Sequence, residues 1–161
     1  MSLRTTLRIV GGLAVLGLVL ITLGTLSVPH DNPPVTQSIV WDSSETEQLA
    51  RSACFDCHSN ETRWPWYSYV APSAFWVRGN VEMARSAVNF STYANLEGSE
   101  MARRIRAGEM PPLEYRLLHP EANLTSEQQT ALIDGFEATF RGAEQLGLTQ
   151  PGADSQGTTG P

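Results

Sequence analysis

The chain has 161 residues, 41% of them hydrophobic, and a formal net charge of −6 in which every strongly basic residue is Arg. That length fits one small domain with extensions, the apolar share excludes disorder throughout, and the lack of an Arg-dense stripe excludes a nucleic-acid partner. Two cysteines exclude a multi-bridge scaffold and leave one disulfide, a thiol pair, part of a metal site or two thioether links.

Residues 1–28 differ from the rest. Arg4 and Arg8 precede an uncharged run from Ile9 to Val28 rich in Leu, Val and Ile. About 20 residues at a rise of ~1.5 Å cross a hydrocarbon core of roughly 30 Å. The run has no polar face, which argues against a buried core helix. A cleavable signal peptide is the competing reading, but its apolar core is usually about 7–15 residues long. Thr25-Leu26-Ser27 is the best cleavage site on offer and a weak one. The expectation is an uncleaved anchor with Arg4 and Arg8 on the cytoplasmic side and the remaining chain outside. An exported soluble protein is the alternative.

Residues 29–40, with Pro29, Pro33 and Pro34, read as a stiffened linker. Residues 144–161 become poor in apolar side chains and rich in Gly, Thr and Gln, and read as a disordered tail. The folded body is then 41–143. Ser44 with Glu47 forms a capping box for a helix running toward Cys57, with Leu49, Ala50 and Ala53 on its apolar face. A second helix covers roughly Ser73–Val88, where Phe75, Val77, Val81 and Ala84 recur at helical spacing. A third, near Glu97–Ala107, buries Met101 and Ile105 and stops at Gly108. The fourth starts at Thr125 or Ser126, each followed three residues later by Gln, and presents Leu132, Ile133, Phe136 and Phe140 as one stripe. Trp41 and Trp76 are assigned to the core. No segment alternates like a strand, so the fold class is all-α.

Cys54-Phe55-Asp56-Cys57-His58 carries both cysteines of the chain. Residues three and four apart share a helix face, so two thiols one turn apart reach the vinyl edge of one porphyrin. His58, next in line, presents an imidazole to iron. The pattern is the attachment signature of c-type haem. Three rivals use the same residues. A thioredoxin-like pair wants a βαβ context, zinc wants a fourth ligand, and a plain disulfide leaves His58 idle. Covalent haem attachment belongs outside the bacterial inner membrane, the side to which the N-terminal charges send the body. The expected location is therefore the inner membrane, single-pass, with the haem domain in the periplasm.

A second axial iron ligand decides what such a haem does. Met83 and Met101 lie within expected helices and read as packing residues, and His30 in the linker reads as solvated. Met110 follows the helix stop at Gly108 and precedes Pro111-Pro112, which press it into extended geometry. Small class I cytochromes c hold their ligand methionine in similar Met-Pro surroundings, and Met110 is the expected distal ligand. His119, before Pro120, is the alternative. Trp64, Trp66 and Tyr67, with Arg63 toward the propionates, are candidate walls of a haem pocket, against an ordinary core role for the aromatic residues.

Several stretches together resemble one family. They are Ala53–Thr62, Arg63-Trp64-Pro65-Trp66-Tyr67-Ser68, Ala71-Pro72, Asn89-Phe90-Ser91, Gly108-Glu109-Met110-Pro111-Pro112 and Leu118-His119-Pro120-Glu121-Ala122. They look like the bacterial haem-binding domain family, small single-haem proteins akin to cytochromes c, over about Trp41–Phe140. The resemblance implies a small cytochrome c-like helical domain around one covalent haem.

Electron transfer is the leading expectation, with no catalytic residue assigned. A peroxidase-like enzyme or a haem-based sensor with a displaceable distal ligand is the alternative. Leaving Arg4 and Arg8 aside, nine Arg face 17 acidic residues, a balance of −8. An acidic carrier is steered to redox partners with basic docking surfaces.

Overall fold

The computed structural model describes residues 2–93 and 95–145. The tail expected at 144–161 lies outside them beyond Gln145. Seven helices occur among the described residues: α1 Leu3–Ser27, α2 Ser44–Ala53, α3 Phe55–His58, α4 Ser73–Ala87, α5 Gly98–Arg106, α6 Leu113–Leu118 and α7 Ser126–Gln145. Short 3-10 turns stand at Trp66–Tyr69 and Pro120–Ala122. No strand is present among these residues, and the chain is all-α with a long apolar N-terminal helix.

Two compact units emerge. One joins the N-terminal chain through Asp31 to Arg63–Glu82, and the other joins Asn32–Thr62 to the chain from Met83 onward. In the first, α1 buries no residue and is long and apolar enough to cross a membrane. Two of its hydroxyl groups bond back to its own carbonyls, Thr22 Oγ1 to Leu18 O at 2.8 Å and Ser27 Oγ to Gly24 O at 2.8 Å. That internal bonding is what lets a polar side chain sit in an apolar run.

The second unit holds the aromatic and aliphatic core. Thr125 Oγ1 accepts from Gln128 N–H while Thr125 N–H donates to Gln128 Oε1, a reciprocal cap that settles the start of α7 at Ser126. From there Leu132, Ile133, Phe136 and Phe140 pack with Met101, Ala102 and Ile105 of α5 and with Leu49 and Ala50 of α2. Each Leu, Ile, Met or Phe among them contributes about 1.5–3 kcal/mol on burial. Trp41, half-buried, lies among Phe55, Phe90, Phe136 and Phe140 with ring centroids 6.3, 5.9, 6.2 and 6.0 Å away.

Several local expectations shift. The cap of α2 is Ser43, whose hydroxyl accepts from Thr46 N–H at 3.1 Å, one residue before the expected Ser44. The helix breaks at Cys54 (φ −126°, ψ −36°) and resumes as α3, so no single helix reaches Cys57. Phe75 and Trp76 are exposed on α4, which buries Ala74, Val77 and Val81 instead. The spacing of Phe75 and Trp76 with Val77 cannot place all three on one face. Segment 29–40 is free of helix, as its prolines require, but it is pinned: Thr36 N–H and Gln37 N–H both donate to Ser91 O, and Asn60 Nδ2 donates to Pro34 O.

A close backbone approach occurs at Gly98, the first residue of α5. A Cβ there would stand 2.6 Å from Phe136 O of α7. Gly98→Ala is therefore expected to lower stability by about 1–3 kcal/mol, because backbone has to move. Gly79→Ala on the exposed side of α4, with nothing within 4 Å of the new methyl group, is expected to raise it by about 0.5–1 kcal/mol. Thermal melts followed by helical circular dichroism check both signs.

Candidate functional site

The geometry at Cys54–His58 follows from where Phe55 goes. Its ring is buried against Phe90 at 5.1 Å with planes 8° apart, and the Arg51 guanidinium covers it at 4.5 Å. With Phe55 drawn into the core, Cys54 caps α3 and its carbonyl accepts from Cys57 N–H at 3.2 Å and His58 N–H at 2.9 Å. The cysteines thus stand one turn apart, as free, half-buried thiols. Burial pushes Cys54 up to about 12, and Cys57 up to about 11 with the neighbouring Asp56 adding to it. Both remain neutral thiols at ordinary pH.

His58 is held from two sides. Its backbone carbonyl accepts from Phe90 N–H at 2.8 Å. Its ring Nδ1 lies 3.1 Å from Ala84 O and 3.2 Å from Val88 O, at the end of α4. Carbonyls only accept, so Nδ1 must carry the hydrogen. The lone pair is then on Nε2. Burial also lowers the proton affinity of this imidazole, and the two carbonyl contacts oppose that without reversing it.

Behind the motif stands a buried polar frame. Asn60 N–H donates to Ser91 Oγ at 2.9 Å, Asn89 Nδ2 to Asn60 Oδ1 at 2.9 Å, and Ser91 N–H to Asn89 Oδ1 at 2.9 Å. Arg85 reaches Ser59 O at 2.8 Å, Asn32 Oδ1 at 2.7 Å and Thr62 Oγ1 at 2.9 Å. Sequence reading noted Asn89-Phe90-Ser91 only as part of a resemblance. No role is legible there for Asn60 or Arg85, whose partners lie 23–53 residues away along the chain. The signal was a clustering of small polar residues around two otherwise apolar segments.

Met110 follows Gly108, whose φ of +69° ends α5. Gly108 N–H and Glu109 N–H bond back to Ile105 O and Arg104 O at 3.0 Å each. The half-buried Met110 packs against the same hydrophobic cluster that Cys54 touches. Five residues on, Tyr115 Oη donates to Asp56 Oδ2 at 3.0 Å, tying α6 to the residue between the two cysteines. His119 stacks on Tyr115 at 4.1 Å and its Nδ1 lies 3.2 Å from Glu121 Oε1. Cys54, Cys57, His58, Met110 and His119 thus share one unit. Arg63, Trp64, Trp66 and Tyr67 belong to the other, with Trp64 edge-on to His30 at 5.1 Å and Trp66 against Tyr67 at 5.9 Å. His30 is not a free linker residue: its Nε2 meets Ser68 O at 2.6 Å.

These residues suit a haem on three counts. The donors are neutral and borderline to soft: an imidazole Nε2, a thioether and two thiols. Leu113, Leu117 and Leu118 of α6, which directly follows Met110-Pro111-Pro112, are all exposed and offer the apolar cover a porphyrin needs. Arg116 Nε on that helix is buried without a hydrogen-bond partner, a donor suited to a carboxylate. By contrast, no three His, Cys, Asp or Glu side chains among the described residues close around one point as a metal-ion cage would.

A family model described as a haem-binding domain matches residues 16–138, about three-quarters of the chain. No curated protein and no solved structure matches it. The match takes in the C-terminal half of α1, the Cys54–His58 segment, Met110 and His119, and on it the chain belongs to the haem-binding domain family.

Proposed function

We propose that the chain is a single-haem c-type cytochrome that carries electrons, held by α1 in the bacterial inner membrane with its haem domain in the periplasm. The observation that carries this reading is the double carbonyl contact at His58 Nδ1. It selects the tautomer whose free Nε2 binds iron, and it fixes the ring before any metal arrives. What distinguishes it from a packing histidine is its place directly after the two cysteines one turn apart.

When bound, haem supplies an iron that gains or loses one electron. The residues do the rest. Cys54 and Cys57 would hold the haem through thioether links, each made from one thiol and one vinyl group with no oxidant required. His58 would offer its Nε2 to the iron and Met110 its thioether, the softer donor that favours the ferrous state. Leu113, Leu117 and Leu118 exclude water, and Arg116 balances a propionate. The acidic balance of the outer chain favours encounter with redox proteins that present a basic docking surface.

Two outcomes check the reading. Matured in a host with haem-attachment machinery, the denatured wild-type protein is expected to give a c-type pyridine haemochrome, and the double variant Cys54→Ala, Cys57→Ala none. A mass equal to polypeptide alone would end the haem c reading. Met110→Ala is expected to keep its covalent haem and lose the weak far-red ferric band of His/Met iron. It is also expected to bind carbon monoxide rapidly when reduced, with a shift in potential on the order of 0.1 V within the ≈0.8 V that axial ligands command. An unchanged spectrum transfers the distal role to His119. Rapid carbon monoxide binding by the wild type would favour a sensor or a peroxidase-like enzyme.

A further inference from the structure

The unit that contains α1 also exposes large apolar side chains in a short stretch of chain. Trp66 is 79% exposed, Tyr69 47%, Val70 44%, Phe75 53% and Trp76 49%. Scattered apolar residues on a surface are ordinary, but such a concentration marks an interaction site. The 14 residues from Trp64 to Val77 carry no Asp, Glu, Arg, Lys or His, while Arg63 and Arg78 stand at either end. An uncharged, Trp- and Tyr-rich segment bracketed by Arg has the composition of the boundary between hydrocarbon and water.

Its place in the fold gives the depth. Ala71 N–H donates to Thr25 Oγ1 at 3.0 Å, in the last turn of α1. One residue earlier, a Cβ on Gly24 would lie 3.0 Å from Ala71 Cβ and 3.4 Å from the Phe75 ring, so the missing side chain admits this close approach. The apolar run ends at Val28. Thr25 is three residues back, which at ~1.5 Å per residue puts the contact about 4.5 Å inside the end of the run. Interfacial helices sink their apolar faces to a comparable depth of about 5–10 Å.

The chain leaving α1 is fixed rather than loose. Arg78 donates to Pro29 O at 3.2 Å and to Asp31 Oδ1 at 3.2 Å, His30 stacks on Tyr69 at 4.0 Å, and Ser73 Oγ donates to Tyr67 O at 2.7 Å. The 66–76 segment is therefore held at the level where α1 leaves the bilayer.

We propose that Trp66, Tyr69, Val70, Phe75 and Trp76 form a lipid-docking patch seated in the headgroup layer of the outer leaflet, beside α1 of the same chain. The proposal rests on α1 being a retained anchor. It commits Trp66 to lipid rather than to the wall of a haem pocket. Its consequence is that the first unit is moored at two places, by a spanning helix and by an aromatic shelf. A single tether would leave it free to tumble on the membrane, and two fix its tilt.

The test uses the haem-loaded full chain in nanodiscs of phosphatidylcholine and phosphatidylglycerol. The lipids carry a photoactivatable diazirine either next to the glycerol or at the end of the acyl chain, and adducts are mapped by mass spectrometry. The chain-end probe is expected to label α1 alone. The glycerol-level probe is expected to label the 66–76 segment as well. Phe75→Ser with Trp76→Ser, both at exposed positions, is expected to lose most of the glycerol-level yield in that segment while labelling of α1 persists. If α1 is labelled and the glycerol-level adducts stay within residues 3–28, the patch is overturned and the anchor stands. If neither probe labels α1, the anchor reading falls and the patch with it.

Discussion

Everything at the candidate site depends on the way the end of α4 uses a histidine. A helix leaves its last carbonyls without intrahelical donors and gathers partial negative charge there. Ala84 O already accepts from Val88 N–H at 2.9 Å, and Val88 lies just past the final residue of the helix. His58 Nδ1 comes within hydrogen-bond reach of both carbonyls. The imidazole thus serves as a C-terminal cap for one helix while standing in the first turn after Cys54. One hydrogen atom answers the helix's need for a donor and at the same time dictates which ring nitrogen keeps its lone pair. Burial adds the second condition, since a ligand must be neutral to bind metal and burial disfavours the protonated ring.

Such an imidazole is useful only if the peptide that carries it cannot drift. The frame built by Asn60, Asn89, Ser91 and Arg85 supplies that restraint with side-chain bonds to main-chain atoms and to one another. Asn60 and Ser91 are 31 residues apart, and Arg85 and Asn32 are 53 apart. A loop fixed by bonds of such sequence separation holds its shape because the flanking helices do. The hydrophobic cluster beneath it is dense in rings: Phe55, Phe90, Phe136 and Phe140 with Trp41 between them. Aromatic packing below and the polar frame above leave His58 little room to reorient, as the proposed redox role requires.

The parts legible in the sequence were those set by short-range rules. The spacing Cys54-x-x-Cys57-His58, the cap at Thr125 with Gln128, the stop at Gly108 and the stripe from Leu132 to Phe140 depend on neighbours within a few residues, and the structure contains each of them. What escaped were features decided at a distance. Ser43 and Ser44 offer the same chemistry, and only the register of α2 against the core selects the first. Six-residue α6 is too short for a period to show. Phe75 and Trp76 read as core because aromatic residues on a helix normally are, yet α4 turns Ala74, Val77 and Val81 inward and leaves both rings exposed. His30 read as solvated because its partners, Trp64, Ser68 and Tyr69, lie more than 30 residues away.

The segment around the proposed distal ligand shows how short a path joins the two sides of the site. Upstream of Met110, Gly108 and Glu109 are bonded to the end of α5, and downstream Tyr115 is bonded to Asp56. Met110 therefore sits in a stretch fastened at both ends, with Pro111 and Pro112 stiffening the interval. The downstream fastening is not to an arbitrary residue. Asp56 lies between Cys54 and Cys57 and is buried, so the peptide that offers the thiols and the loop that offers the thioether are bound through one hydrogen bond. Burial, with the carboxylate beside it, pushes the Tyr115 phenol above its ordinary range, so it remains a donor throughout the physiological range of pH. Displacing Met110 would then strain either the turn at Gly108 or the Tyr115 bond to Asp56. On the proposed reading, a fold that resists displacement of Met110 in this way suits electron transfer better than chemistry at an open iron.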